Sequence, residues 1–280
     1  MVRALAVVVP DDPDGRPVGG VACVMEPGDV FDAHAHPPHQ LAWCSRGEVD
    51  VRIGHELWPV SPDRALWIPG GARHAVRARR WSVFRSVYFR PWYAPDGPGD
   101  PLLVDASPLL RELIRHIGDA RLSETEREHA GRVVRDLVRS SPTGEAPVVL
   151  PADPRALQVA RGILARPADD RGLAEWGREV GASVRTLSRL FRQETGLSFV
   201  QWRARARLTA SVSHLRAGLP VGAVAHLVGY SDVSSYVAAF RRAFHCTPRR
   251  YRARMAAGPQ FVAADHDSPP GHVVRLPSLR

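Results

Sequence analysis

Four side chains in the first quarter of the chain have the types and spacing of a metal or ligand centre. His34 and His36 are separated by one residue, Gln40 comes four residues after His36, and His74 follows the turn Pro69-x-Gly71. On an extended strand, residues two apart face the same way, so His34 and His36 share a side. Gln40 and His74 join them if their strands are adjacent. Three imidazoles and one amide oxygen suit a divalent transition metal such as zinc, iron, nickel or manganese. Gln is a neutral donor, weaker than a carboxylate, and leaves more of the cation's charge uncompensated. Without metal, the same residues make a hydrogen-bonded cluster lining the pocket of a small-molecule effector, or a purely structural one. His39, flanked by Pro38 and Gln40, stays outside the set.

A second set of residues lies in the last third. Leu173, Ala174, Trp176 and Val180 have the spacing of a buried helix face, Gly181 permits a sharp turn, and Ser183 is placed to cap a second helix. That helix carries Val184, Leu187, Leu190 and Phe191 on its inner face and Arg185, Thr186, Ser188, Arg189 and Arg192 on the other. The plan repeats with Val221, Val224, Ala225 and Val228, a Gly229-Tyr230 turn, a cap at Ser231 or Asp232, and a helix holding Tyr236, Val237, Phe240 and Phe244. Its exposed positions are Val233, Ser234, Ser235 and Ala238, with Arg241 and Arg242 one or two turns later. Helices with short polar residues and Arg on an exposed N-terminal half fit the major groove of DNA. There Arg pairs with guanine or phosphate, and Val or Ala meets a thymine methyl. The helix Phe199–Leu215, with Trp202, Leu208, Val212 and Leu215 buried, spaces the two units about one DNA turn apart.

Charge agrees with this division. The chain of 280 residues has a formal net charge of +9, and all 38 basic residues are Arg. Residues 1–154 hold 18 Arg against 21 acids, whereas residues 155–254 hold 18 Arg against 6. The positive charge is thus confined to one block, which suggests a polyanion partner. The three cysteines, Cys23, Cys44 and Cys246, form no CxxC pair and suit a reducing compartment. No run approaches the roughly 20 apolar residues of a membrane span. Leu5–Val9 is too short for a signal-peptide core and reads as a strand, so a cytoplasmic location is expected.

Residues 1–92 read as short strands and turns. Val49, Val51 and Ile53 alternate on one face, and Leu66–Ile68 and Val83–Phe89 are further strands. The Pro/Gly-rich stretch from Pro91 to Pro101 closes that block. Beyond it, Leu109, Leu110, Leu113, Ile114 and Ile117 lie on one helical stripe behind a Ser107-Pro108 start. A capping box at Ser123–Glu126 opens another helix, with Val133, Val134, Leu137 and Val138 on one face. These helices suit self-association, or packing back onto the strands.

Two resemblances join these parts. Ser183, the run Leu187-Ser188-Arg189-Leu190-Phe191, Thr195-Gly196, then Val228 to Asp232, Tyr236, Phe240, and Thr247-Pro248 with Tyr251-Arg252 resemble the AraC/XylS-type DNA-binding domain. Cys246 departs from that family's usual Gly, and Val237 and Ala238 are less polar than usual. Gly28, His34, His36, Gln40 and Gly47, with Pro69, Gly71 and His74, resemble the two cupin motifs. Here Gln40 replaces the usual Glu, Asp63 the second motif's first Gly, and Ala78 its closing Asn.

The resemblances imply an α+β multidomain chain. It comprises a cupin-like β-barrel (jelly roll) at 1–95, connecting or dimerisation helices at 105–140, and a linker at 141–154. An all-α double helix-turn-helix domain at 155–254 and a mobile tail at 255–280 follow. They further imply a transcription regulator that binds an operator in double-stranded DNA, as a homodimer, under control of a metal or small molecule in the barrel. RNA polymerase would be the protein it recruits or blocks. The rival reading is a metal-dependent cupin enzyme, an oxygenase or isomerase, with a basic helical appendage. No further acid–base constellation accompanies the motifs.

Overall fold

In the computed structural model, residues 4–5, 15–140 and 147–256 are described. They belong to two compact units that divide between residues 144 and 145. The first unit contains β1 (Ala4–Leu5), β2 (Val18–Met25), β3 (Val30–His34), β4 (His39–Arg46), β5 (Val49–Ile53), β6 (Glu56–Val60), β7 (Arg64–Ile68), β8 (His74–Ala78), β9 (Ser82–Phe89) and β10 (Leu102–Asp105). Helices α1 (Pro108–Ile117) and α2 (Glu124–Ser140) follow. The strand expected over Leu5–Val9 is present at Ala4–Leu5, and residues 6–14 lie outside the described set.

One sheet runs β1-β3-β8-β5-β6 and the other β10-β7-β4-β9-β2, antiparallel except for β1 on β3. The strand β10 extends the second sheet beyond the Pro91–Pro101 stretch by pairing with β7. Strand alternation sorts the apolar residues into two layers. Between the sheets lie Phe31, Ala42, Cys44, Val51, Trp58, Leu66, Ile68, Val76 and Phe84. The opposite face of the second sheet presents Leu41, Trp43, Ala65, Trp67, Val87 and Phe89 to Leu110, Ile114 and Ile117 of α1 and to Ala130, Val134 and Val138 of α2. Strand β7 is therefore buried at every residue, which explains why its sequence lacks alternation.

Of the two roles open to α1 and α2, packing onto the sheet takes up their apolar stripe. Leu109 and Val133 are left exposed on the outer side. The expected caps are present: Ser107 Oγ accepts from Leu110 N, and Ser123 and Glu126 exchange reciprocal bonds.

The second unit contains α3 (Pro154–Ala165), α4 (Leu173–Val180), α5 (Val184–Thr195), α6 (Phe199–Arg216), α7 (Val221–Leu227), α8 (Val233–Phe244) and α9 (Pro248–Ala256). Its core has two lobes along α6. Trp202 and Phe199 pack with Phe191 at 5.3 and 5.2 Å between ring centres. Leu208, Val212 and Leu215 pack with Val224, Val228, Tyr236 and Phe240. Gly181, in the left-handed region at φ 65°, ends α4 and makes the first turn. Gly177 is buried where α4 meets α5, and a Cβ there would stand 2.3 Å from the Ala182 carbonyl oxygen. Two expected inner-face residues are on the outside: Ala174 is exposed and Val184 is 49% exposed. Both sit in first turns, where the neighbouring helix does not yet reach across. Of the expected linker 141–154, residues 141–146 lie outside the described set, as does the tail from 257.

Candidate sensor centre and nucleic-acid interface

The three histidines meet. One ring nitrogen of each of His34, His36 and His74 lies within 4.8 Å of those of the other two. His34 ends β3 and His74 opens β8, and the two are register partners. His36 is not on the strand with His34, as its spacing suggested, but in the turn before β4. Gln40 and His74 are not on adjacent strands either. Gln40 is on β4 of the second sheet, so the centre is assembled across the space between the sheets.

The main chain fixes the tautomers. His34 Nδ1 lies 2.6 Å from Asp32 O, His36 Nδ1 2.8 Å from Pro38 O, and His74 Nδ1 2.9 Å from Ala72 O. A carbonyl only accepts, so each Nδ1 carries the proton and each ring has Nε2 to offer. His74 Nε2 is buried and has no hydrogen-bond partner among the described residues. Gln40 Nε2 donates to Ser86 Oγ at 2.7 Å, which aims Oε1 at His36 Nε2, 3.1 Å away. That contact is a hydrogen bond only if His36 carries both ring protons. Otherwise two acceptors face each other, as two ligands of one cation do. Burial lowers the pKa of His74 to about 4, with the charges of His34 and His36 adding to the effect against the Ala72 carbonyl. Burial also lowers that of His34. The rings of His34 and His74 are thus neutral at pH 7, the state that binds metal. His39 stacks on Trp67 at 5.1 Å and accepts from Gly70 N, which leaves it out of the centre.

In the second unit, α5 exposes Arg185, Ser188, Arg189 and Arg192, with Thr186 half-buried. Ser183 is the N-cap, and its hydroxyl accepts from Thr186 N at 3.1 Å. Arg189 is held to Gln193 Oε1 at 2.8 Å. Ser231 and Asp232 before α8, and Val233, Ser234, Ser235, Ala238 and Arg241 on it, are all exposed. Asp232, not Ser231, is the cap: its carboxylate accepts from Ser235 N at 2.6 Å, a bond that holds its pKa low.

Several residues that matter here carry no motif in the sequence. Ser86 orients Gln40, and its only signal is a polar residue between Phe84 and Tyr88 on the inward face of β9. Arg207 on α6 donates to Pro167 O at 2.8 Å, Asp169 O at 2.9 Å and Gly229 O at 2.8 Å. It thereby ties the loop before the first helix-turn-helix to the turn of the second. Gly229 leaves room for it, since a Cβ there would stand 2.8 Å from Arg207 Cζ.

This fold defines a class: a cupin unit and a helix-turn-helix unit joined in one DNA-binding transcription regulator. The cupin domain family matches residues 21–81 and the helix-turn-helix domain family residues 176–254. The chain is 27% identical over 261 residues to the HTH-type transcriptional regulator NimR of Escherichia coli K12, covering 91% of this chain and 95% of that protein. It is 29% identical over 221 residues to the HTH-type transcriptional regulator RipA of Corynebacterium glutamicum, covering 75% of this chain and 61% of that one. ToxT of Vibrio cholerae O395 aligns over 88% of this chain and all of its own, at 12% identity and a TM-score of 0.39. The chain thus joins an N-terminal cupin domain to a C-terminal helix-turn-helix domain of the AraC type, and its curated relatives are HTH-type transcriptional regulators. Among the described residues, no helix is long and apolar enough to cross a membrane.

Proposed function

We propose that this regulator reads its operator under the control of a divalent transition metal held by His34, His36 and His74, with Gln40 Oε1 as fourth donor. The observation that carries the proposal is the arrangement of the imidazoles. All three have Nδ1 on a main-chain carbonyl, leaving Nε2 for the centre, and that of His74 is buried without a partner among the described residues. Metal-binding histidines are oriented by outer hydrogen bonds of this kind. A bound ion would supply a fixed positive charge and open coordination positions for an effector. The chain's own residues hold the rings of His34 and His74 neutral, aim all three, and keep Gln40 turned inward through Ser86.

At the operator, Arg185, Ser188 and Arg189 of α5 are the base-reading residues, with Thr186 and Arg192 beside them. On α8, Val233, Ser234, Ser235 and Ala238 face the second groove segment and Arg241 a phosphate, while Ser183, Ser231 and Asp232 shape the helix starts. Self-association uses the outer sides of α1 and α2, around Leu109 and Val133. RNA polymerase is the downstream partner and the cytoplasm the compartment.

The test is metal analysis of the full chain beside DNA selection with and without chelator. About one metal per chain, with operator affinity that shifts on chelation and is chelator-insensitive in His34→Ala/His74→Ala, supports the reading. Metal-free protein with unchanged selection overturns the metal and leaves an organic effector. Bound metal with no DNA sequence selected would restore the enzyme.

A further inference from the structure

The first unit has a cavity outside the histidine cluster. It encloses about 230 Å³ between the start of β2, the end of β9 and the turn joining α1 to α2. Its walls are of two kinds. Val18, Val21, Pro38 and Tyr88 supply apolar surface, and Arg16, Arg90 and Arg127 supply charge. Among the described residues that line it there is no carboxylate. Arg127 is 8% exposed and is fixed by donating to the carbonyls of Ile117, Asp119 and Leu122, so its guanidinium cannot swing away into water. Burial, and then the charge of Arg16, lower its pKa, which marks an environment that an added anion would relieve.

One wall of the cavity depends on two glycines. A Cβ on Gly20 would stand 2.9 Å from Gly118 Cα, so only glycine lets the end of α1 approach β2 this closely. A compact space with an apolar floor, the fixed guanidinium of Arg127 and the side chains of Arg16 and Arg90 at its wall suits a ligand with an apolar body and one anionic head. It is smaller than the roughly 300–1,000 Å³ of drug-sized sites, which limits the ligand to a small one.

We propose that this cavity binds a small organic anion, a carboxylate or phosphate monoester on a short apolar body, with its charge met by Arg16, Arg90 and Arg127. The site shares a wall with the histidine centre but does not depend on it. Pro38 accepts the Nδ1 proton of His36, and the Tyr88 ring lies 5.2 Å from the His36 ring. His36 is therefore a local reporter of occupancy.

The experiment is calorimetric titration of chelator-treated, DNA-free full chain with 3-phenylpropanoate, phenyl phosphate and the neutral 3-phenylpropanamide. The imidazole NMR signals of His36 are followed in parallel. At least one of the two anions is expected to bind about tenfold or more tightly than the amide, as charge-assisted hydrogen bonds require. It should shift His36 and leave His245, in the other unit, unmoved. Arg16→Gln/Arg90→Gln should remove that preference, and Val21→Trp should block binding by filling the cavity. Circular dichroism confirms that each variant is folded, and the double arginine variant carries the test if Val21→Trp is not. Equal binding of anions and amide, no binding of either anion, or a preference that survives Arg16→Gln/Arg90→Gln overturns the proposal. Because metal and DNA are absent, this result is independent of the metal reading.

Discussion

Replacing Arg207 with Met tests how the two DNA-reading units are held in register. The change keeps most of the apolar stem and removes the guanidinium that bonds the carbonyls of Pro167, Asp169 and Gly229. Hydrogen bonds to a charged group contribute about 1.5–3 kcal/mol each, so three at the low end sum to about 4–5 kcal/mol. Two effects reduce this. Burial disfavours the charged guanidinium and pushes its pKa down, and carbonyls beside a half-buried residue are rehydrated when it leaves. About 2–3 kcal/mol is left, lost from the energy that fixes the loop before the first helix-turn-helix against the turn of the second. If that energy aligns the two recognition helices, affinity for a full operator falls about 30- to 140-fold, at about 1.4 kcal/mol per tenfold. A duplex bearing only the α5 half-site should lose far less, because α5 itself is untouched. The assay is fluorescence anisotropy with both duplexes at one fixed salt concentration, since phosphate contacts make affinity salt-dependent. Equal losses on the two duplexes, or full-operator affinity within about twofold of the parent, would refute the alignment role.

Three further outcomes follow from the geometry. Arg185→Ala or Arg189→Ala should weaken operator binding by about 1–3 kcal/mol while changing nonspecific binding much less; equal losses would remove their base-reading role. Gly177→Ala forces a Cβ against the Ala182 carbonyl. It should destabilise the second unit by about 1–3 kcal/mol, seen as a lower melting transition with the barrel's transition unmoved. Burial, then the charge of Asp29, push the Cys23 thiol up to about 12. At pH about 8 its alkylation in the folded chain should therefore be about a thousandfold slower than after unfolding, when mass spectrometry reads the modified site.

The helix-turn-helix units were legible because their signals are local: caps, a turn glycine and a helical stripe all lie within about 20 residues. The same rules misplaced Val184 and Ala174, since periodicity marks a helix face but not how far the next helix covers it. The histidine set was legible by residue type but not by position. His36 faces the centre from a turn, not from β3, and Gln40 reaches it from the opposite sheet, both of which depend on long-range pairing. Whether α1 and α2 packed inward could not be read from their own stripes. It was decided by Leu41, Trp43, Ala65 and Trp67, which need cover on the outer face of the second sheet. Arg207 and Ser86 were hidden for the opposite reason: their partners are main-chain or single polar atoms far away in sequence.

The two-sided burial of β4 has a consequence for how this barrel can change. Its residues alternate between two incompatible surroundings, with Gln40, Ala42 and Cys44 turned toward the space between the sheets and Leu41 and Trp43 toward α1 and α2. A slip of one residue would exchange the faces, driving an indole toward the imidazoles and an amide into the apolar layer under the helices. An insertion or deletion inside β4 therefore damages ligand recognition and helix docking together, whereas point substitutions can retune either face alone. The sensor is free to acquire new ligands by exchanging side chains, but not by lengthening or shortening the strand that carries them.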